Sequence, residues 1–348
     1  MTAPAAPTAS APAPSPAPAL TVTNLTRVFD VSAPWLNRLI ERKPRQFLRA
    51  VDDVSFRVPA GGCLSLVGES GCGKSTVARL VTGLYAPTKG EIDFAADIDG
   101  APLSAQMIFQ DPYASLNPRW RVRDIIAEPL RELKLRETEA QIRARVDELL
   151  TTVGLSPRDG AKFPHEFSGG QRQRISIARA LATEPRFLVC DEPTSALDVS
   201  VQAQILNLMR HLQDELGLTY LFISHDLSVV RHMSDRIAVM YLGRIVEEAD
   251  TETLFANPRH PYARLLLETI PDIENPRRAR EVDVGEVPSP LNPPKGCTFH
   301  PRCPLADARC KAERPEMLRL PDGARVACHR VAEAEGAATA GNAAAPAA

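Results

Sequence analysis

Short runs of consecutive apolar residues alternate along this chain with stretches whose apolar positions recur every three or four residues. Cys63-Leu64-Ser65-Leu66-Val67, Phe187-Leu188-Val189-Cys190 and Tyr220-Leu221-Phe222-Ile223 are runs of the first kind. Their brevity and apolar character fit strands covered on both faces, and the alternation with helical patterns predicts an α/β domain with a largely parallel sheet. Val201, Ile205, Leu208, Leu212 and Leu216 predict a helix that Gly217 ends. Between about 111 and 185 helical spacing dominates, as in Ile142, Val146, Leu149 and Leu150, so a helical subdomain inserted into the core is expected there. Ile237–Tyr241 and Arg244–Val246 flank Gly243 as the arms of a hairpin. No apolar run approaches the ~18–20 residues that span a bilayer, so any membrane connection is expected to come through a partner.

Composition adds boundaries. Residues 1–20 and 332–348 consist mostly of small residues and proline, too poor in large apolar groups to offset ordering entropy, and are expected to be disordered. Between them, 21–256 reads as the main domain, and 257–331 as a Pro-rich C-terminal region carrying four of the seven cysteines. The apolar fraction of 44% and charged fraction of 24% are those of an ordinary soluble protein, and a net charge of -2 gives no reason to expect nucleic acid as a partner. The N-terminus lacks the basic residues and apolar core of a secretory signal, so the cysteines point to a reducing compartment rather than a disulfide framework.

Gly68-Glu69-Ser70-Gly71-Cys72-Gly73-Lys74-Ser75 matches the phosphate-binding loop pattern, with a strand expected before it and, from Thr76 on, a helix after it. Glycines let the backbone turn its N–H groups toward phosphate oxygens, and the helix adds the positive end of its dipole. Lys74 is expected at the β- and γ-phosphates and Ser75 on Mg²⁺. This motif alone indicates a nucleoside triphosphatase of unspecified kind. The strand Phe187–Cys190 ends in Asp191 and Glu192, whose side chains alternate in direction. Asp191 is therefore assigned to Mg²⁺ and Glu192 to the general base.

Further segments give these motifs a family. Ser168-Gly169-Gly170-Gln171, between Phe167 and Arg172-Gln173-Arg174, resembles the ABC signature. Asp191 to Asp198 resembles the Walker B and D-loop block, Gln110 the Q-loop, and His225 the switch histidine. Phe29 resembles the aromatic residue that stacks on adenine, although an aromatic ending a first strand is also an ordinary core position. In this order the motifs identify the chain as a member of the ABC ATPases, a P-loop fold with a β-rich N-terminal part and an inserted helical subdomain. The resemblance implies that Ser168, Gly169, Gly170 and Gln171 face the γ-phosphate of ATP held by a second ATPase. It also implies that Asp198 lies where the two subunits meet, that Gln110 senses Mg²⁺ and the γ-phosphate, and that His225 aligns the attacking water.

The segments His260-Pro261-Tyr262-Ala263 and Gly285 to Pro304 resemble the C-terminal region of oligopeptide and dipeptide importer ATPases. That resemblance implies a subunit peripheral to the cytoplasmic face of the inner membrane. Its partners would be a homologous ATPase in a heterodimer, two membrane permeases and an extracytoplasmic solute-binding protein. Import of nickel or another small solute, and a soluble ABC ATPase acting on ribosomes or DNA, are the alternatives; one cassette, no coiled coil and no basic stripe count against the second. Cys297, Cys303, Cys310 and Cys328 are separated by five, six and seventeen residues. Zinc knuckles usually contain a closer pair, and all-thiolate ligation with wide gaps suits an iron–sulfur cluster better. The expectation is a [4Fe-4S] centre, with zinc or unliganded thiols as alternatives, stapling a segment too small for its own core.

Overall fold

The computed structural model describes residues 17–41, 44–95, 105–136, 138–268 and 285–335. Strands β1 (Pro18–Asp30) and β2 (Phe47–Pro59) flank helix α1 (Trp35–Glu41), and β3 (Cys63–Val67) leads into α2 (Lys74–Val81). After β4 (Lys89–Phe94) and β5 (Ala105–Ile108) the chain is helical: α3 (Pro112–Ser115), α4 (Val122–Glu132), α5 (Glu139–Thr152), two short 3-10 turns and α6 (Gly169–Leu181). It then runs through β6 (Phe187–Asp191), α7 (Val199–Leu216), β7 (Thr219–Ile223), α8 (Leu227–Met233), β8 (Arg236–Tyr241) and β9 (Arg244–Asp250). The C-terminal part contains α9 (Thr251–Ala256), α10 (Pro261–Glu268), α11 (Ala308–Ala312), β10 (Leu318–Arg319) and β11 (Arg325–Val326).

Two sheets result. β2, β1 and β4 form an antiparallel sheet; the larger sheet has the order β10-β11-β9-β8-β3-β7-β6-β5. Its middle, from β8 to β5, is parallel, while β8–β9, β9–β11 and β11–β10 are antiparallel. The three apolar runs of the sequence are its adjacent central strands β3, β7 and β6. Their side chains alternate between two layers, as a pleated strand requires. Cys63, Leu188, Cys190, Tyr220 and Phe222 pack with α4 to α7, whereas Leu64, Leu66, Val189, Leu221 and Ile223 pack with α2 and the antiparallel sheet. Apolar residues on both faces explain why no polar alternation marks these strands.

Local signals set the element ends. Thr138 and Gln141 close a reciprocal capping box on α5, and Gly217 ends α7 in the left-handed conformation. β8 and β9 form a hairpin whose tip residues, Leu242 and Gly243, both have positive φ, the geometry a two-residue turn needs to follow the strand twist.

Two boundaries differ from the sequence reading. β1 starts at Pro18, so residues 18–20, expected in the leading tail, are strand; Ala19 and Leu20 are buried, and Leu20 pairs with Val58 and Phe94. At the other end the chain is helical to residue 335, where Glu335 pairs with Arg259 at 2.8 Å. The remaining residues of both expected tails, 1–16 and 336–348, lie outside the described residues. The cysteine-bearing part is also less separate than a Pro-rich composition suggests, because β11 pairs with β9 and extends the main sheet. No helix of the described residues is long and apolar enough to cross a membrane.

Candidate active site

The parallel strands β3, β5, β6 and β7 end at one edge of the sheet, and the loops leaving their C-terminal ends carry the candidate residues, the usual place for a ligand in open α/β sheets. β3 enters the loop at Gly68 and α2 begins at Lys74. Gly68 and Gly73 both have positive φ, and a Cβ at either would lie well inside van der Waals contact of a carbonyl oxygen, that of Met240 or of Ala50. Only glycine fits these two places. Thr76 and Val77 donate their N–H groups back to Gly73 and start α2. Lys74 is buried, and its Nζ donates to the carbonyls of Gly68 at 2.7 Å and Glu69 at 3.0 Å, bonds that draw the ammonium over the loop. Burial lifts the Cys72 thiol above its ordinary pKa, an effect the Lys74 ammonium opposes from 3.7 Å.

Ser75 and Asp191 come from different strand–loop units and meet directly, Ser75 Oγ donating to Asp191 Oδ1 at 2.9 Å. Burial raises the Asp191 pKa; the Ser75 hydroxyl works against this, and the Glu192 charge adds to it. A buried carboxylate beside a hydroxyl is a donor set suited to a hard cation, which would also relieve the desolvated charge.

Glu192 follows β6 with φ of 48°, a left-handed conformation uncommon outside glycine. Its N–H donates to the Ile223 carbonyl at 2.9 Å, and its own carbonyl accepts from the Ser195 N–H and hydroxyl, so the strained turn is held from both sides. Two side chains reach its carboxylate. Gln110 Nε2 donates to Oε2 at 2.8 Å, and His225 Nδ1 lies 3.1 Å from the same oxygen. Gln110 leaves β5, Glu192 leaves β6 and His225 leaves β7, so the strand order β7-β6-β5 brings them together. Glu192 is largely covered while His225 is exposed.

The other candidates stand elsewhere. Ser168 caps α6: its hydroxyl accepts from the Gln171 N–H at 3.3 Å, and Gln171 Oε1 accepts from the Ser168 N–H at 3.0 Å. A Cβ on Gly169 would press on Leu197, and one on Gly170 would collide with Val201 of α7. Asp198 stands at the N-cap position of α7, where its carboxylate bonds no helix N–H and accepts from the Ser200 hydroxyl at 2.9 Å. Phe29 packs edge-on against Tyr85 at 5.5 Å, with the Arg27 guanidinium over its ring at 4.6 Å. One of its faces is thereby engaged by a neighbour on its own strand.

Cys297, Cys303, Cys310 and Cys328 belong to one region of the fold. The Cys297 N–H donates to the Cys310 carbonyl at 2.9 Å. Burial pushes the Cys297 thiol up to about 11, and the other three thiols add to the rise. Among the described residues, however, no group of three or more His, Cys, Asp or Glu side chains is arranged to hold a metal ion. The sequence reading also missed Tyr262 and Arg302 as neighbours of the phosphate loop, where both bond Glu69. No local pattern marks them, since each lies about two hundred residues further along the chain.

Two family models match the sequence: one described as ABC transporter over residues 51–195, and one described as oligopeptide/dipeptide transporter, C-terminal region, over 246–310. The putative oligopeptide transport ATP-binding protein YkfD of Bacillus subtilis is 51% identical over 308 residues, spanning 84% of this chain and 92% of that protein. The dipeptide transport ATP-binding protein DppF of Haemophilus influenzae is 49% identical, over 83% of this chain and 91% of that protein. Among solved structures, cbiO1 of Clostridium perfringens superposes with a TM-score of 0.56 at 27% identity, covering 69% of this chain and 91% of that one. A dimeric ATP-binding cassette in a post-hydrolysis state with ADP and phosphate gives 0.55 at 27% identity, over 67% of this chain and 98% of that one. On these similarities the chain belongs to the ABC transporter ATP-binding proteins of the oligopeptide/dipeptide family, and it is an ATPase.

Proposed function

We propose that this chain energises a peptide importer by hydrolysing ATP, with Gly68, Ser70, Gly71, Cys72, Gly73, Lys74, Ser75 and Thr76 around the phosphates and Glu192 as general base. The observation that supports this reading most is the convergence of Gln110 and His225 on one oxygen of Glu192, beside the Ser75–Asp191 pair. Both use Oε2, so Oε1 is assigned to the proton of the attacking water. Gln110 and His225 then fix the carboxylate's direction, which matters because proton transfer needs a near-linear approach within hydrogen-bond reach. Ser75, Asp191 and Gln110 would hold Mg²⁺, which supplies charge neutralisation at the β- and γ-phosphates. Glu192→Gln should leave ATP binding within threefold of wild type and slow hydrolysis more than a hundredfold; turnover near the wild-type rate removes Glu192 as the base.

In this reading 21–256 is the nucleotide-binding domain, with 111–185 as its helical arm, and 257–331 the C-terminal region. Ser168, Gly169, Gly170 and Gln171 serve the ATP of a second ATPase, Asp198 lies near that contact, and Phe29 offers the ring face not taken by Arg27 to adenine. Support comes from the position of Ser168 at the N-terminus of a 13-residue helix, where the dipole favours an anion, and from the dimeric cassette that is similar in fold. The relatives' names support peptides as cargo, and with them two permeases and a solute-binding protein at the membrane. The second ATPase is taken to be a homologous chain.

For the four cysteines the donor chemistry favours a [4Fe-4S] cluster: every candidate ligand is a soft thiol, and the other three lie close enough to Cys297 to add to the rise of its pKa. Their arrangement in the fold gives no support of its own, since among the described residues no three such side chains are placed to hold a metal ion. Anaerobic purification should yield a brown protein that Cys297→Ser bleaches; a colourless protein with one equivalent of zinc assigns the site to zinc.

A further inference from the structure

Glu69 is the second residue of the phosphate loop, and groups from far outside the loop fix it. Both arms of the Arg302 guanidinium bond its carboxylate, at 2.8 and 2.9 Å. Its N–H donates to the Tyr262 hydroxyl at 2.8 Å, and its carbonyl accepts from Lys74 Nζ at 3.0 Å. One residue of the loop thus ties the phosphate lysine to the C-terminal region. Arg302 lies on the turn His300–Arg302, bounded by Cys297 and Cys303. The Cys297 carbonyl accepts from the His300 N–H at 3.1 Å, and the His300 carbonyl accepts from the Cys303 N–H at 3.3 Å. Phe299 anchors the turn: it is fully buried, with its ring 5.3 Å from Tyr241 and 5.4 Å from Tyr262. Only 7% of the Arg302 side chain is exposed.

A bidentate guanidinium–carboxylate pair fixes orientation as well as distance. With most of Arg302 covered, loss of the arginine would leave the Glu69 charge without its partner. That charge would stand in the loop that receives the anionic phosphates, and the peptide planes on either side of Glu69 would lose a restraint. We propose that Arg302 is a positioning residue for the nucleotide site, through which the cysteine-bearing turn sets the affinity for ATP. This rests on the reading of Gly68–Ser75 as the phosphate site. The Gln110–Glu192–His225 group stands on other strands, so the effect falls on binding more than on the chemical step. Coupling is reciprocal, so ATP must in turn stabilise the turn.

The test is made on the full chain, by titration with ATP and by steady-state hydrolysis. Arg302→Gln should raise Kd and KM for ATP about tenfold while kcat falls less than threefold. Arg302→Lys, which keeps the charge without the fork, should recover part of that loss. Glu69→Gln with Arg302→Gln should be no weaker than the worse single variant. A non-hydrolysable ATP analogue should slow amide exchange over residues 297–303 in the wild type and not in Arg302→Gln. Wild-type Kd in Arg302→Gln, additive losses in the double variant, or equal exchange protection in both chains overturns the proposal. If Arg302→Gln does not fold, Arg302→Lys and Glu69→Gln decide by the same measures. Lys74→Ala separates the two levels: intact ATP binding in that variant overturns the phosphate-loop reading itself, whereas abolished binding there with an unaffected Arg302→Gln overturns only this inference.

Discussion

Glu192 has a left-handed backbone that a residue with a Cβ adopts at a cost of about 1–3 kcal/mol, and it is also the residue on which Gln110 and His225 converge. The strain has a geometric consequence. An extended residue after β6 would continue the strand line, whereas the turn at Glu192 sends the carboxylate toward the loops of β5 and β7. His225 is exposed, as Gln110 is, and its ring lies against the carboxylate from the β7 side, so it can follow a ligand without disturbing the core. His225→Ala is therefore expected to lower kcat between tenfold and a hundredfold with KM for ATP changed less than threefold, measured by phosphate release at saturating ATP. A loss confined to KM would mean that His225 serves binding rather than the alignment of Glu192.

At the scale of elements, α6 and α7 meet where glycine permits it. Gly170 has Val201 where its Cβ would be, so Gly170→Ala forces the helices apart or Val201 off its rotamer, an overpacking cost of about 1–3 kcal/mol. Val201→Ala in the same chain should restore much of that loss, a non-additivity read from urea unfolding midpoints; equal losses with and without Val201 would mean that the two residues do not meet. This contact shows what sequence pattern can and cannot convey. The strands β3, β6 and β7 were legible because burial on both faces leaves an unbroken apolar run, and α7 because its apolar residues recur with the helical period and stop at Gly217. Gly170 was legible only as a motif residue; its packing partner lies on another helix, and no periodicity links them. β1 was cut short in the reading because Ala19 and Leu20 follow a run of small residues and proline, although pairing with β2 and β4 draws both into the core. The phosphate loop and the Asp191-Glu192 pair were legible because each is local in sequence. The bonds of Arg302 and Tyr262 to Glu69 were not, since they arise only when the sheet brings distant segments together.

At the scale of the whole molecule, the join between the ATPase core and the C-terminal region includes a buried pair of titratable groups whose effects oppose. Glu247 on β9 accepts the N–H groups of Arg259 at 2.9 Å and His260 at 2.7 Å, and His260 Nδ1 accepts the Tyr262 N–H at 3.0 Å. Burial raises Glu247 from 4.5 to about 7, against the pull of those two N–H groups, and burial lowers His260 from 6.5 to about 3, with the Arg264 charge adding to the fall. Between the two ordinary values, the unfolded chain carries one proton on His260 and none on Glu247. The folded chain carries one on Glu247 and none on His260. Equal proton counts mean that the pair adds no slope of stability with pH across that window. Removing either member exposes the other. With Glu247→Gln the depressed His260 acts alone: its contribution is complete above 6.5 and is lost as pH falls toward 3, by up to about 1.4 kcal/mol per pH unit. With His260→Asn the raised Glu247 acts alone: its contribution is complete below 4.5 and is lost as pH rises through about 7. Relative to wild type, the urea midpoints of the two variants should therefore tilt in opposite directions between pH 4.5 and 6.5, the window set by those ordinary values. Profiles parallel to wild type in both would mean that neither group is held away from its ordinary protonation, and that the join is stabilised by packing and hydrogen bonds alone.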